Sequence, residues 1–172
     1  MTSTPPTVLV VVPTYNEREN LPVLARGVLA HPGFRMLVVD DGSPDGTGAV
    51  ADALAAEYPG RVEVMHRTGQ RGLGRSYIDG LQKAIAQADV DLVCQMDADL
   101  SHDPKYLPAM IQLAADGADL VIGSRYLNGI SVVNWPLRRI ILSSFANFYI
   151  RTVTGLGLRD ITTGYRCWRR AA

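Results

Sequence analysis

The chain contains five short runs of apolar residues, rich in valine and leucine, in which hydrophobic and polar positions barely alternate. Continuous apolar runs of this length are typical of parallel strands that are buried on both faces of a sheet. The pattern therefore predicts five strands, at Val8–Val12, Met36–Val39, Val62–Met65, Leu92–Met96 and Leu120–Ile122.

Segments with apolar residues at steps of three and four lie between these runs, and this spacing predicts amphipathic helices. The predicted helices are Leu21–Leu29, Thr47–Ala56, Leu73–Ala86 and Tyr106–Leu113. Asp45 is a candidate N-cap of the second helix, and Asp103 followed by Pro104 marks the start of the fourth. A loop-like segment, Ser124–Asn134, then leads to a longer predicted helix, Trp135–Gly155.

The alternation of strands and helices predicts βαβ crossovers, and hence an α/β fold with a Rossmann-like, doubly wound, mostly parallel sheet flanked by helices. In such sheets ligands bind beyond the carboxyl ends of the strands. The residues that directly follow each predicted strand are therefore the first candidates for a functional site.

Composition and charge narrow the range of functions. The 172 residues are 47% apolar, which suits one domain with a buried core, and the 17 basic residues balance 17 acidic ones. This balance does not resemble the strongly basic composition of nucleic-acid-binding proteins, and no nucleic-acid partner is expected. No apolar run is long enough to span a membrane and the N-terminus lacks the form of a signal peptide, so the cytosol is the expected compartment. There, Cys94 is expected to be a buried thiol without a disulfide to Cys167.

The first predicted strand is followed by Pro13-Thr14-Tyr15-Asn16-Glu17. The proline is expected to end the strand. Tyr15 could stack on a nucleobase, and Glu17 could accept hydrogen bonds from a ribose or a base edge. The alternative is a simple turn in which Asn16 caps the next helix.

Three aspartates follow the second predicted strand, within the segment Asp40–Gly46. Asp41 would lie at the carboxyl edge of the sheet, where it could bind a nucleobase or a ribose. Asp40 and Asp45 are expected to shape the turn and to cap the helix.

An Asp-x-Asp sequence follows the fourth predicted strand, with Asp97 and Asp99 on either side of Ala98. Two carboxylates at a strand end can bind one hard cation such as Mg²⁺ or Mn²⁺, which also bridges to phosphate oxygens. Such a cation would neutralise a leaving diphosphate. The alternative is a solvated acidic turn, but two neighbouring like charges repel each other without a cation. His102 is expected to lie beside this site or on the surface.

Arg125 follows the fifth predicted strand and could bind phosphate oxygens with its planar guanidinium, or simply be exposed. The glycine-rich segment Gly69–Gly74 is not a phosphate-binding P-loop, because no Gly-Lys-Ser/Thr follows it. It is expected to be a flexible turn before a helix.

Seven segments together resemble the family-2 inverting glycosyltransferases, which have the GT-A fold. The segments are "VVPTYNERENLP", "VVDDGSPDGT", "RGLGRSYIDG", "MDADLSHDP", "GSRY", "NWPLRR" and "DITTGYR", in order from Val11 to Arg166. "PTYNE", the Asp-Asp turn and the Asp-x-Asp motif are typical of the broad family. "DADLSHDP" followed by "GSRY" and "NWPLRR" is similar to the branch of dolichol- or polyprenol-phosphate mannose synthases.

The resemblance implies a role for each matched position. It implies that the guanosine of GDP-mannose is held by Pro13, Tyr15, Glu17, Val39 and Asp41. It implies that the diphosphate, the metal ion (Mg²⁺ or Mn²⁺) and the sugar are held by Asp97, Ala98 and Asp99, with Ser101 where some relatives have a further metal ligand. It implies that the phosphate of a polyprenyl phosphate acceptor is held by Arg125, Arg139 and Ser143. Asp99, Arg125 and Arg139 are the predicted catalytic residues, and Arg125 also serves the donor.

The implied reaction is attack of the lipid phosphate on the anomeric carbon of mannose, with inversion and departure of GDP. A phosphate monoester is largely ionised at neutral pH, so it needs no strong general base. Three alternatives stay open on the sequence. The first is a related transferase that makes polyprenyl-phosphate glucose from UDP-glucose. The second is an inactive nucleotide-binding module. The third is a nucleotidyltransferase, which normally has a glycine-rich basic loop after its first strand.

Relatives of this branch continue beyond the "GYR" segment with a helix, a strand and a basic loop that closes over the nucleotide. Residues 1–172 are therefore expected to be a single catalytic domain, truncated at the C-terminus relative to the family, with weak donor binding and poor turnover. The helix Trp135–Gly155 has an apolar face that includes Phe145 and Phe148. This face is expected either to pack in the core or to contact the cytoplasmic face of a membrane peripherally.

Overall fold

The structure, a computed structural model, describes residues 5–124, 137–155, 160 and 162–172. Its strands are β1 (Val8–Thr14), β2 (Phe34–Asp40), β3 (Val62–His66), β4 (Leu92–Gln95), β5 (Leu120–Ile122) and β6 (Arg166–Arg169). Its α-helices are α1 (Asn20–Leu29), α2 (Thr47–Glu57), α3 (Leu73–Ile85), α4 (Leu107–Ala115) and α5 (Leu137–Thr154). A 3₁₀ turn, Pro104–Tyr106, leads into α4 and is capped by the Asp103 carboxylate, which accepts a hydrogen bond from the Lys105 amide.

The strands form one six-stranded sheet in the order β3-β2-β1-β4-β6-β5. The pairs β1·β2, β1·β4 and β2·β3 are parallel, whereas β6 runs antiparallel to both β4 and β5. The predicted α/β fold with a mostly parallel sheet is confirmed. The sequence pattern did not predict β6, because its residues, Arg-Cys-Trp-Arg, form no apolar run.

The central strand explains the absence of alternation in the sequence. All seven residues of β1 are buried, because successive side chains point to opposite faces and both faces are covered by helices. Val8, Val10 and Val12 pack in the cluster that contains residues of α1, α2 and α4. Leu9 and Val11 pack in a second cluster with residues of α3.

The prediction that Pro13 ends the first strand is wrong. The pairing of β1 with β2 continues through Pro13 and Thr14, whereas the pairing of β1 with β4 ends at Val11. Backbone groups alternate between the two sides of a strand: the Val11 carbonyl accepts a bond from Met96 on the β4 side, and the Thr14 carbonyl accepts one from Asp41 on the β2 side. Pro13 therefore faces the β4 side, beyond the end of that ladder, and its missing N–H removes no sheet hydrogen bond.

Cys94 and Cys167 lie opposite each other on β4 and β6, and both are free and buried. The predicted buried thiol at Cys94 is confirmed. The hydrogen bond between the two thiols, together with burial, raises the pKa of Cys94.

Helix α5 begins at Leu137, while Trp135 and Pro136 lie outside the described residues. Phe145 and Phe148 are 63% and 67% exposed. Ordinary core packing of these two residues is therefore not observed in this chain. In the described part of the chain, no helix combines the length and the apolar character that a transmembrane segment requires.

Candidate active site

An open cleft of about 310 Å³ lies at the carboxyl edge of the sheet, beyond the ends of β1, β2 and β4. The residues that line it are Pro13, Thr14, Tyr15, Glu17, Asp41, Leu73, Ser76, Asp97, Ala98 and Asp99. Seven of these are residues predicted from the sequence to hold the donor or the metal, and they come from three separate strand ends. The topology thus brings together the predicted nucleoside-binding and metal-binding residues.

Backbone amides attach the segment after β1 to the turn after β2. The N–H groups of Asn16 and Glu17 donate to the hydroxyls of Ser43 (3.1 Å) and Thr47 (2.9 Å). The N–H of Arg18 donates to the Asp45 carboxylate (3.2 Å). Asn16 has a positive φ of 61°, which few non-glycine residues adopt. These three bonds hold the segment in an unusual conformation beside the cleft.

The predicted turn-shaping role of Asp40 and Asp45 is confirmed by their contacts, whereas the N-cap of α2 is Gly46 and not Asp45 as predicted. The buried Asp40 carboxylate accepts hydrogen bonds from the backbone and the hydroxyl of Ser43 and from the hydroxyl of Thr14. The Asp45 carboxylate accepts bonds from the backbone (2.9 Å) and the hydroxyl (2.6 Å) of Thr47, the first residue of α2. The hydroxyl bond to Thr47 lowers the pKa of Asp45.

The Asp41 carboxylate is buried, and both of its oxygens are bonded inside the protein. Oδ1 accepts a hydrogen bond from the guanidinium of Arg67, and Oδ2 accepts one from the backbone N–H of Gly72 at 2.7 Å. Arg67 is itself only 7% exposed and also bonds the Asp79 carboxylate and the Ser76 hydroxyl. Arg67, which directly follows β3, thus joins Asp41 in the turn after β2 to Asp79 on α3. This ion pair holds the Asp41 carboxylate in a fixed orientation at the cleft.

Val39 does not line the cleft. Its side chain is fully buried in the cluster beneath α3, and a Cβ placed on Gly80 would lie 2.9 Å from it. The predicted contact between Val39 and the donor stays a prediction.

Tyr77 and His102 bond Asp97, and Gly164 lies close to its carboxylate. The Tyr77 hydroxyl donates to Oδ1 at 2.6 Å. The backbone N–H of Asp97 donates to His102 Nδ1 at 3.0 Å, and this histidine ring stacks on Tyr165 at 4.9 Å. A Cβ at Gly164 would lie 3.1 Å from both carboxylate oxygens of Asp97. Burial and the neighbouring Asp97 carboxylate raise the pKa of Tyr77, so this hydroxyl stays neutral and acts as a donor.

Asp99 lies in the turn that follows and is exposed to solvent. Its Oδ1 accepts a hydrogen bond from the backbone N–H of Ser101 at 3.0 Å, and the intervening Leu100 has a positive φ of 61°. A bulky residue in this left-handed conformation is strained, which is a feature of many functional sites. The role of the Ser101 hydroxyl as a metal ligand stays a prediction.

The Asp97 and Asp99 carboxylates fit a hard divalent cation that is shared with a substrate. Both line the same cleft, and no cluster of three or more acidic, histidine or cysteine ligands occurs among the described residues. Mg²⁺ is commonly bound by one or two carboxylates together with substrate phosphates and water. A pair of carboxylates beside an open cleft suits that type of site.

The structure does not describe the side chains of the predicted acceptor-binding residues. Arg125 lies outside the described residues, and Arg139 and Ser143 lie on α5, of which only the backbone is described at these positions. Their roles stay predictions.

Several residues at or behind the site have no signal in the sequence pattern. Ser76 on α3 lines the cleft, because this helix packs directly on β1 and β2. Arg67 before α3 and Tyr77 on α3 do not line the cleft but bond the carboxylates of Asp41 and Asp97, which do. Gly164 reaches Asp97 because β6 pairs with β4. The segment "DITTGYR", which contains Gly164, is one of those that resemble the family. Nothing in its sequence pattern indicated that it lies next to Asp97.

Two curated proteins are similar to this chain over most of its length. The chain is 53% identical over 163 residues to the polyprenol monophosphomannose synthase of Mycolicibacterium smegmatis, covering 94% of the chain and 61% of that protein. It is 49% identical over 163 residues to the undecaprenyl-phosphate mannosyltransferase of Micrococcus luteus, covering 94% of the chain and 66% of that protein. The chain therefore spans a little less than two thirds of the length of these relatives.

Among solved structures, the fold is similar to that of glucosyl-3-phosphoglycerate synthase from Mycobacterium tuberculosis. The complex of that enzyme with UDP has a TM-score of 0.68 at 20% sequence identity, covering 96% of this chain and 57% of that one. A further structure of the same enzyme contains Mn²⁺ and UDP-glucose, with a TM-score of 0.65. At this level of identity the likeness shows the fold, which is GT-A.

The family assignment does not depend on these individual relatives. The sequence model described as "Glycosyl transferase family 2" matches residues 9–172, which is nearly the whole chain. The Asp-x-Asp turn, the first strand end and the acidic second turn all fall within this match and all line the cleft. The chain belongs to glycosyl transferase family 2.

Proposed function

We propose that this chain is the catalytic domain of an enzyme that transfers mannose from GDP-mannose to a polyprenyl phosphate, with inversion at the anomeric carbon. The observation that carries the proposal is the cleft itself, in which one wall is formed by Tyr15, Glu17 and Asp41 and the other by Asp97 and Asp99. The names of the two similar curated proteins support mannose as the sugar and a polyprenyl phosphate as the acceptor.

The wall formed by the ends of β1 and β2 suits a nucleoside. The ring of Tyr15 is 44% exposed and offers a surface for stacking. Glu17 is anchored through its backbone and accepts a hydrogen bond from Asn20, which leaves acceptor capacity for a hydroxyl or an amino group. Asp41 is oriented by Arg67 and Gly72 and also has lone pairs left for a donor.

The other wall suits the diphosphate and the sugar. Asp97 and Asp99 would hold Mg²⁺ or Mn²⁺, and Ala98 lies between them at the cleft surface. When bound, the cation neutralises the negative charge that develops on the departing diphosphate. Hydrogen bonds to Tyr77 and His102 keep Asp97 in place, and the absence of a side chain at Gly164 leaves room for its carboxylate, so little reorganisation is needed when the donor binds.

The acceptor brings its own nucleophile. An oxygen of the lipid phosphate forms the new bond to the anomeric carbon as the bond from that carbon to the diphosphate breaks, and GDP leaves with the electron pair. No proton has to be removed, because the phosphate is already ionised. The task of the protein is to bring two polyanions together. The resemblance assigns the acceptor phosphate to Arg125, Arg139 and Ser143.

A polyprenyl phosphate is embedded in a bilayer, so the cleft has to approach one. We propose a peripheral contact at the cytoplasmic face that uses α5. Among the described side chains of this helix, the large hydrophobic residues Phe145, Phe148, Tyr149 and Val153 are exposed. Arg138 on its first turn is exposed as well. Aromatic and apolar groups accompanied by basic residues are typical of helices that lie in the membrane interface.

The test is transfer of radiolabel from GDP-mannose to a polyprenyl phosphate in the presence of Mg²⁺, followed by lipid extraction. We expect labelled lipid, loss of the signal with EDTA, and recovery with Mg²⁺ or Mn²⁺. Unlabelled GDP-mannose should compete and UDP-glucose should not. Competition by UDP-glucose alone would favour the related glucose transferase, and binding of GDP without any transfer would favour a nucleotide-binding module.

A further inference from the structure

The described lining of the cleft carries negative charge only. Glu17, Asp41, Asp97 and Asp99 line it, and no lysine or arginine does so among the described residues. A sugar nucleotide is itself a polyanion, and a cation at Asp97 and Asp99 would serve its diphosphate. The nucleoside itself is neutral, but the carbonyl oxygens of its base need hydrogen-bond donors, which ionised carboxylates cannot supply.

Arg67 and Arg71 both lie at the nucleoside end of the cleft, and their surroundings differ. The buried Arg67 is neutralised by the carboxylates of Asp41 and Asp79. Arg71 is exposed. Its guanidinium donates to the Tyr15 hydroxyl at 3.0 Å and to the Gly42 carbonyl at 3.1 Å, and it lies over the Tyr15 ring at 5.1 Å from the centroid. None of these groups carries a charge.

The position of Arg71 is fixed by the loop before α3. The loop is attached at both ends to the acidic turn after β2, because Arg67 and the Gly72 amide both bond Asp41. In the sheet order β3-β2-β1-β4, Arg71 therefore lies at the ends of β1 and β2, whereas Asp97 and Asp99 follow β4. This places the Arg71 guanidinium beside the predicted base-stacking tyrosine and on the side of β1 opposite to the metal pair.

We propose that Arg71 recognises the nucleobase of the donor and favours a purine with a carbonyl edge over a pyrimidine. Three of the five N–H donors of a guanidinium remain after the bonds to Tyr15 and Gly42. The O6 and N7 acceptors of guanine match the fork of one guanidinium, whereas the corresponding edge of uracil offers one carbonyl oxygen. An aromatic ring next to a guanidinium also provides a stacking surface for a planar base. This inference rests on the proposed function and specifies how its donor is selected.

The test is isothermal titration of the 172-residue chain with GDP and with UDP, in buffer with Mg²⁺. Arg71→Ala is expected to weaken GDP binding by roughly 5- to 100-fold and UDP binding by a clearly smaller factor. Arg71→Lys keeps the charge but not the fork, so it should lose most of the preference for GDP. Arg26→Ala, at an exposed position in the last turn of α1, is the matched control and should change neither affinity.

The outcomes separate this inference from the proposed function. Unchanged GDP affinity in Arg71→Ala, with GDP bound normally by the wild-type chain, would overturn the inference alone. An equal loss for GDP and UDP would also overturn it, because that result indicates a contact with the phosphates. Failure of the wild-type chain to bind GDP while it binds UDP would contradict the donor of the proposed function.

Discussion

Replacement of Arg67 by methionine is expected to destabilise the chain strongly, although the residue lies at the edge of a surface cleft. The Arg67 and Asp41 side chains are only 7% and 8% exposed. Arg67→Met keeps much of the apolar stem and removes the charge, so Asp41 remains as a buried carboxylate with the Gly72 amide as its partner. Removal of one member of a buried ion pair typically costs about 3–5 kcal/mol.

This loss is large relative to the stability of a domain, which is roughly 5–15 kcal/mol. The bond from Arg67 to Asp79 adds little, because Asp79 is 44% exposed and surface pairs contribute about 0–1 kcal/mol. With an m-value of about 2 kcal/mol/M, the urea midpoint should fall by about 2 M. Unfolding can be followed by circular dichroism and by the fluorescence of the partly buried Trp168.

The double variant Arg67→Met/Asp41→Asn tests the reason for the effect. It removes both charges, and replacement of a whole buried pair is often nearly neutral. We expect it to be more stable than Arg67→Met alone, with a coupling free energy of about 1–3 kcal/mol in a double-mutant cycle. A double variant as unstable as Arg67→Met, or a loss below about 1 kcal/mol in Arg67→Met, would refute the role of the ion pair. Arg26→Met, at an exposed site, is the control.

Three further predictions concern the proposed metal site and are read out by mannose transfer. Asp99→Asn keeps the size of the side chain but removes its charge, so metal-dependent transfer should be lost while circular dichroism stays unchanged; normal transfer would contradict a role in metal binding. Tyr77→Phe removes the donor to Asp97 and should lower transfer about 10-fold, and a wild-type rate would show that this bond does not orient the carboxylate. Gly164→Ala places a methyl group 3.1 Å from both Asp97 oxygens and should raise the Mg²⁺ concentration needed for half-maximal transfer. Gly69→Ala is the control, because no other heavy atom lies within 4 Å of a Cβ added at this position, and its Mg²⁺ requirement should be unchanged.

The fold was largely predictable because its parallel strands are buried on both faces. Each of β1 to β5 coincides with a predicted apolar run to within two residues at either end, and α1 to α4 lie between them as predicted. Among the described residues, the strand that the apolar pattern missed is β6, which has two arginines among its four residues and pairs with strands that are distant in sequence. The hydrophobic pattern does not reveal such a short, polar strand, because its position in the sheet is set by pairing with β4 and β5 on either side.

The acidic residues that line the candidate site were predictable from the sequence. Asp41, Asp97 and Asp99 directly follow predicted strands, and the carboxyl ends of parallel strands share one edge of the sheet. The residues behind them could not be predicted in the same way. Arg67, Tyr77 and Gly164 contact these acids through loops and helices whose positions depend on packing.

The sequence by itself therefore determined which functional residues follow which strand. An aromatic residue and an acid follow β1, an acidic turn follows β2, and a carboxylate pair follows β4. The sequence determined this because hydrophobic runs and the polar residues that end them are local features. Only the tertiary structure decided that the Asp41 carboxylate is held by Arg67, that Asp97 is held by Tyr77 and approached by Gly164, and that Arg71 lies on Tyr15. These contacts join residues far apart in the chain, and they exist because α3 and β6 pack against the sheet at fixed positions.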